Sequence, residues 1–254
     1  MKYLLIISLL FSFSVVQAQE AQNTIIIVRT KAKDAKFIGT SMGGSHIVIK
    51  NADTGKILAQ GKTVGGTGNT DLIMKTPKER YTSIGDGAAH YEATLSISKP
   101  IFLTIEALAP ANMKDSRVYA QTQVWVIPGQ DMDGDGVILE IPGFVVEGLY
   151  PQTHQGFSIA TDTSVELKAN IVMMCGCTIS EGGLWNSNQI KVEGLVYIND
   201  EFWKKIDFKN NGTPNTFTSN LALEKVGSHE VIIMAFDPKT KNSGVDQLNF
   251  RVNH

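Results

Sequence analysis

Two stretches of this sequence carry residue types at spacings suited to chemistry. In Met173-Met174-Cys175-Gly176-Cys177 four sulfur side chains fall within one short run. On an extended strand Met173, Cys175 and Cys177 share a face. Counting back by twos reaches Ile171, Ala169, Leu167 and Val165, so that face points to the core unless Gly176 breaks the strand. Three readings stay open: two thiols packed as small hydrophobes, a Cys175–Cys177 disulfide whose short ring is strained and therefore easily reduced, or a soft-metal site. Thiolates with the thioethers of Met173 and Met174 suit copper(I). Zinc would want further ligands such as His154 or His229.

The second stretch is Asp131-Met132-Asp133-Gly134-Asp135-Gly136. Alternate aspartates followed by a glycine reproduce the first half of a calcium-binding loop, in which carboxylates converge and glycine permits the sharp bend. The bidentate acid that should close such a loop is missing: Pro142 stands there, and Glu140 is the nearest substitute. Calcium through Asp131, Asp133, Asp135 and Glu140 is one expectation, and a solvated aspartate–glycine turn is the other.

Two further motifs fail on context. Gly39-Thr40-Ser41-Met42-Gly43 fits the G-x-S-x-G elbow of serine hydrolases, but the elbow works only between a strand and a helix, and Ser45 to Lys50 reads as a strand. Gly61-Lys62-Thr63 ends like a phosphate-binding loop, yet its leading glycine is out of register at Gly55 and no helix follows to supply amides. Gly65 to Asn69 reads as a hairpin tip. The histidines show no ligand spacing, and the tryptophans and tyrosines are scattered, as sandwich cores use them; packing is expected of them in preference to a carbohydrate platform. No catalytic residue is assigned, and the expectation is a non-enzymatic protein.

The elements that position these residues are strands. Val165–Met173, Tyr91–Ile97, Ile101–Ala107 and Ile190–Ile198 alternate apolar and polar with a period of two, while Thr24–Val28 and Val231–Phe236 are apolar on both faces. Turn signals such as Asp53-Thr54-Gly55 and Asn210-Asn211-Gly212 separate them. About 14 strands at such spacing predict an all-β chain of two tandem antiparallel sandwiches. Residues 19–150 form the first and 151–254 the second, with the seam near Leu149–Gly156. The segment Pro128 to Gly148 is either the last hairpin of the first unit or a bridge.

Ile47-Val48-Ile49-Lys50-Asn51-Ala52-Asp53-Thr54-Gly55-Lys56-Ile57-Leu58-Ala59 resembles the strand–turn–strand hairpin of transthyretin-like or carboxypeptidase-regulatory-like domains. His229 to Asp237 followed by Asn242-Ser243-Gly244 is similar to the last hairpin of bacterial immunoglobulin-like domains. Both resemblances imply β-sandwiches that supply binding, spacing or docking surfaces, and neither implies a catalytic residue. The second unit lacks the paired cysteines and core tryptophan of antibody domains.

The N-terminus has the tripartite form of a secretory signal peptide over 1–18: Lys2, an apolar run from Tyr3 to Val16, and Val16-Gln17-Ala18 as the cleavage site. The run, about 14 residues, is short of the ~20 that a membrane span needs. An exported protein without a transmembrane segment in its mature chain is expected, in the periplasm, at the cell surface or outside the cell. Over 254 residues, 23 basic and 25 acidic side chains leave a formal charge of -2. That balance excludes nucleic-acid binding driven by bulk charge. The composite expectation is an exported β-sandwich protein presenting loops to a protein or glycan partner at the cell envelope; a periplasmic copper- or zinc-binding protein is the alternative.

Overall fold

The computed structural model describes residues 20–254, so the signal peptide expected over 1–18 lies outside the described residues. The chain is all-β. Its first seven strands are β1 (Gln22–Ala32), β2 (His46–Asn51), β3 (Ile57–Lys62), β4 (Tyr91–Ile97), β5 (Ile101–Ala109), β6 (Val118–Val126) and β7 (Met132–Ile141). They make two sheets, β4-β1-β7 and β3-β2-β5-β6. The strands predicted at 91–97 and 101–107 are β4 and β5. Ile26, Val28, Ile47, Ile49, Leu103 and Ile105 fill the space between the sheets, because β-branched and leucine side chains at alternate positions face inward from both. The Asp53-Thr54-Gly55 turn joins β2 to β3. There the Asn51 side chain accepts from the Thr54 amide at 2.8 Å and Gly55 takes φ 70°, a conformation glycine adopts without steric cost.

The second set is β8 (Phe144–Tyr150), β9 (Gln155–Ser158), β10 (Ser164–Met173), β11 (Ile179–Ser180), β12 (Trp185–Asn186), β13 (Lys191–Ile198), β14 (Glu201–Asn210), β15 (Thr216–Ala222), β16 (Gly227–Phe236) and β17 (Ser243–Asn253). Apart from the short β11-β12 pair, they form one continuous hydrogen-bonded run, β8-β10-β15-β14-β13-β16-β17-β9. β14 meets β15 only through Lys209 and Asn210. Most pairs are antiparallel; β1-β7, β11-β12 and β17-β9 run parallel.

Pairing changes partners at Pro142-Gly143, ahead of the expected 150/151 boundary. β7 lies beside β1, whereas β8 lies beside β10. Residues 128–148 thus contribute β7 to the first set of strands and β8 to the second. Tyr150-Pro151 ends β8, but a proline after a strand does not end the sheet it belongs to, and β8 is already paired with β10.

The two sets of strands share apolar packing. Ala32, Ala35, Ile38 and Ala109 of the first belong to the same buried cluster as Phe144, Ile171, Met174 and Cys175 of the second. Polar contacts fix the junction: Asn242 donates to the Lys33 carbonyl at 3.1 Å and accepts from the Gly143 amide at 2.8 Å, and Trp185 Nε1 donates to the Asp34 carbonyl at 2.8 Å. No helix among the described residues is long and apolar enough to cross a membrane.

Candidate functional site

The tertiary structure brings three separately noted sequence features to one place. Ser41 of the Gly39–Gly43 run, Thr67 of the Gly65–Asn69 run, and the Cys175-Gly176-Cys177 run together line a cleft of about 400 Å³, with Trp185 on its wall. The cleft lies between the two sets of strands.

The Gly39–Gly43 run folds as a loop closing with one 3-10 turn, Thr40–Met42, and β2 follows. This is not the strand–turn–helix that a nucleophile elbow requires. The loop is held to the Gly65 segment: the Thr40 amide donates to the Gly65 carbonyl at 2.9 Å, and Thr40 Oγ1 accepts from the Gly65 amide at 3.0 Å. A Cβ at Gly39 would stand 3.1 Å from that carbonyl, so the glycine serves close backbone approach. Gly65–Asn69 is therefore not a hairpin tip. It belongs to the long connection from β3 to β4, which folds back under the 39–43 loop and is pinned there by amides. Lys62 ends β3; Thr63, just beyond it, is buried and its hydroxyl accepts from the Ser45 amide at 2.9 Å.

β10 ends at Met173, and Gly176 does break the strand. It takes φ 75°, its amide donates to the Met173 carbonyl at 2.7 Å, and the Met173 amide donates to the Cys177 carbonyl at 3.2 Å. Within this turn Cys175 and Cys177 are joined as a disulfide. Met173, Met174 and Cys175 are buried, Cys175 at 1% exposure, while Cys177 keeps 8%. Beyond the turn, Asn215 clamps the chain: its side chain accepts from the Ile179 amide at 2.7 Å, and its own amide donates to the Ile179 carbonyl at 2.8 Å. A Cβ on Gly176 would fall 2.7 Å from Met42 Sδ, so Met42, beside Ser41, covers the turn from the first set of strands.

The aspartate run is placed elsewhere, at the start of β7. Asp131 Oδ1 accepts from the Ile25 amide at 2.8 Å across an irregular register with β1. Asp135 accepts from Ser83 Oγ at 2.6 Å, the Ile84 amide at 2.9 Å and the Gly85 amide at 2.7 Å. Burial pushes the Asp135 carboxyl up, but the Ser83 hydroxyl and the Gly85 and Ile84 amides, with Lys78, outweigh it and hold the carboxyl below its ordinary range. Asp133 is exposed, and Glu140 lies farther along β7 opposite Lys31 of β1. With Gly134 and Gly136 in the left-handed region at φ 60° and 64°, Asp133, Asp135 and Glu140 are spread along β7 and Asp131 just precedes it, and the four do not gather around a point. Arg29 completes this corner, donating from Nη1 to the Ala88 carbonyl at 2.7 Å and from Nη2 to the Gly134 carbonyl at 3.1 Å.

Among the described residues no group of three or more His, Cys, Asp or Glu side chains converges as a metal site would. His229, a possible zinc partner in the sequence, is fully buried and stacks on Phe250 at 5.0 Å with Trp203 at its edge. His154 sits at a turn with φ 65°.

The expectation that aromatics serve packing is corrected on β6. Tyr119, Gln121, Gln123 and Trp125 all point outward, and Trp125 is 62% exposed and Tyr119 53%. Trp125 lies against Phe102 of β5 at 4.9 Å. The period-two spacing Tyr119-x-Gln121-x-Gln123-x-Trp125 is the signal that would have found this row.

No family model matches the chain, and no curated protein matches it. Among solved structures it is similar to an engineered protein, at 11% identity and TM-score 0.33 over 48% of this chain and 22% of that one. It is similar also to the fibronectin(III)-like modules of CbhA from Clostridium thermocellum, at 12% identity and TM-score 0.30 over 91% of this chain and 94% of that one. A third is an I-band fragment of titin, at 12% identity and TM-score 0.26 over 92% and 60%. The all-β assignment rests on the strand pairing itself.

Proposed function

We propose that this chain is an exported, non-enzymatic protein of two β-sandwiches, residues 1–18 being its secretory signal, that presents a sheet face and loops to a protein or glycan partner at the cell envelope. One observation carries the reading. The outward row of β6 exposes two large aromatic rings with two amide side chains between them. Exposed apolar surface of this kind, rimmed by polar groups, marks interaction sites, and tyrosine and tryptophan contribute disproportionately to such contacts. Phe102, opposite Trp125 on β5, packs beside its ring at 4.9 Å, and a ring held in place this way costs less to order on binding.

The test is photo-crosslinking from position 125 in the native cell envelope, with the exposed turn residue Asn211 as a control. Position 125 is expected to give a discrete adduct that position 211 does not. Substituting Tyr119→Ala and Trp125→Ala together should weaken the captured interaction by about 2 kcal/mol, roughly 30-fold, without shifting the unfolding midpoint. Equal adduct patterns from both positions would sink the reading.

A copper or zinc role for Met173, Met174, Cys175 and Cys177 belongs to the reduced chain only, because a disulfide offers no thiolate. The observation that favours keeping it is that all four side chains lie in one buried stretch. Metal bound after anaerobic reduction and lost on Cys175→Ser is its expected sign.

A further inference from the structure

We propose that the Cys175–Cys177 disulfide is a thiol-exchange site: a thiolate entering the cleft between the sandwiches attacks Cys177 and is held there as a mixed disulfide. Four observations lead to it, independently of the β6 face.

The first is spacing. A disulfide stabilises mainly by closing a loop of the unfolded chain, and its contribution shrinks with loop length. Here a single residue separates the cysteines, so this bond restrains the unfolded chain about as little as a disulfide can. Folding therefore adds little to this bond's resistance to exchange. The second is position. The pair sits at the margin of the buried core and also forms part of the wall of a cleft of about 400 Å³.

The third is asymmetry. Cys177 is 8% exposed and Cys175 1%, which selects Cys177 Sγ as the sulfur an incoming thiolate meets. The incoming sulfur forms a bond to Cys177 Sγ, the Cys175–Cys177 bond breaks, and its electron pair leaves on Cys175 Sγ as a thiolate. The incoming thiol is oxidised to the mixed disulfide, and Cys175 is reduced. Lys36 and the hydroxyls of Ser41, Thr67 and Thr178 line the same cleft, so an incoming thiolate enters a space that carries a cation and donors, which favour the thiolate form.

The fourth is what remains after the bond opens. The turn is closed by the Gly176 amide on the Met173 carbonyl and the Met173 amide on the Cys177 carbonyl, and its exit is clamped by Asn215. None of these depends on the sulfur–sulfur bond. The two side chains therefore stay neighbours, with the high effective concentration that makes return attack by Cys175 fast. Capture is reversible, and the ligand class is a thiol, either a small one or a cysteine in an extended peptide. Trp185 and Leu184 on the wall supply apolar surface that a peptide would cover and a small thiol would not.

The experiment uses the full mature chain, folded, with two probes in parallel: reduced glutathione, and a ten-residue peptide carrying one cysteine. After acid quench and alkylation of free thiols, intact mass and peptide mapping report the products. The expected result is one probe on Cys177 and one alkyl group on Cys175, formed in native buffer at a rate within about tenfold of that in denaturant. A peptide reacting at least about tenfold faster than glutathione assigns the site to polypeptides; equal rates assign it to small thiols. Loss of the peptide's advantage in Trp185→Ala, with glutathione unchanged, locates that preference in the cleft. An adduct that appears only in denaturant, or a probe found on Cys175, overturns the proposal.

Discussion

At the scale of single residues, the side chains that stood out in the sequence act mainly through what they hold in place. Asp135 is the clearest case. Read as a ligand for calcium, it instead accepts three donors from Ser83, Ile84 and Gly85 and so fixes the far end of the β3–β4 connection. Its carboxyl is held below the ordinary carboxylate range. A carboxylate depressed in the folded state binds fewer protons there than when unfolded, so its stabilising effect is present above the unfolded value and fades as pH falls through the folded one. Asp135→Ala should accordingly cost about 1–3 kcal/mol at neutral pH, the range for stranding buried donors, and less as the medium becomes strongly acidic. Denaturant midpoints measured at neutral and acid pH check both statements. A cost that stays the same down to strong acid would contradict this account. The aspartate spacing was legible in the sequence, but its use was not, because the donors it meets lie some 50 residues away.

At the scale of elements, alternation located β4, β5, β10 and β13, since a half-buried strand must repeat apolar residues every second position, while β16 was located as a run apolar on both faces. The same rule, applied to 118–126, would have exposed the outward row of β6. β16 shows the limit of pattern: His229 sits on its inward side among Phe250 and Trp203. Burial pushes the His229 imidazole below its ordinary value, partly offset by the Gly227 carbonyl. Its Nε2 has no hydrogen-bond partner, so the neutral form is the one that fits. A histidine depressed in the folded state takes up its proton more readily when unfolded, so stability declines as pH falls below the ordinary histidine value and levels off below the folded one. His229→Phe should flatten that decline while changing stability at pH 8 by less than about 1.5 kcal/mol, as volume-conserving core swaps do. Thermal unfolding of both proteins between pH 8 and pH 5 measures the difference; parallel curves would count against it.

At the scale of the molecule, the junction between the sandwiches is both packed and charged. Burial pushes the Asp34 carboxyl up, nearby Asp237 pushes it further, and Lys31 pulls it down. A raised carboxyl binds protons more tightly when folded, so this group favours the folded junction at acid pH and loses that contribution as pH rises through its folded value. Asp34→Asn should therefore stabilise at neutral pH, by no more than about 0.5 kcal/mol because the group is solvent-screened, and the gain should vanish on acidification. Unfolding midpoints for the pair at two pH values decide it. The sequence by itself left open whether Gly176 would break its strand, but it determined that the chain is all-β and that Asp53-Thr54-Gly55 turns a hairpin. Each of these two follows from local sterics or from a period fixed by the pleat. Only the tertiary structure decided that pairing changes sheets at Pro142-Gly143, that the aspartates are spread along β7, and that the 39–43 loop, the 65–69 run and the Cys175–Cys177 turn meet in one cleft. Those outcomes depend on which distant strands pair, and on side chains more than a hundred residues apart sharing one buried cluster, and no local period encodes that.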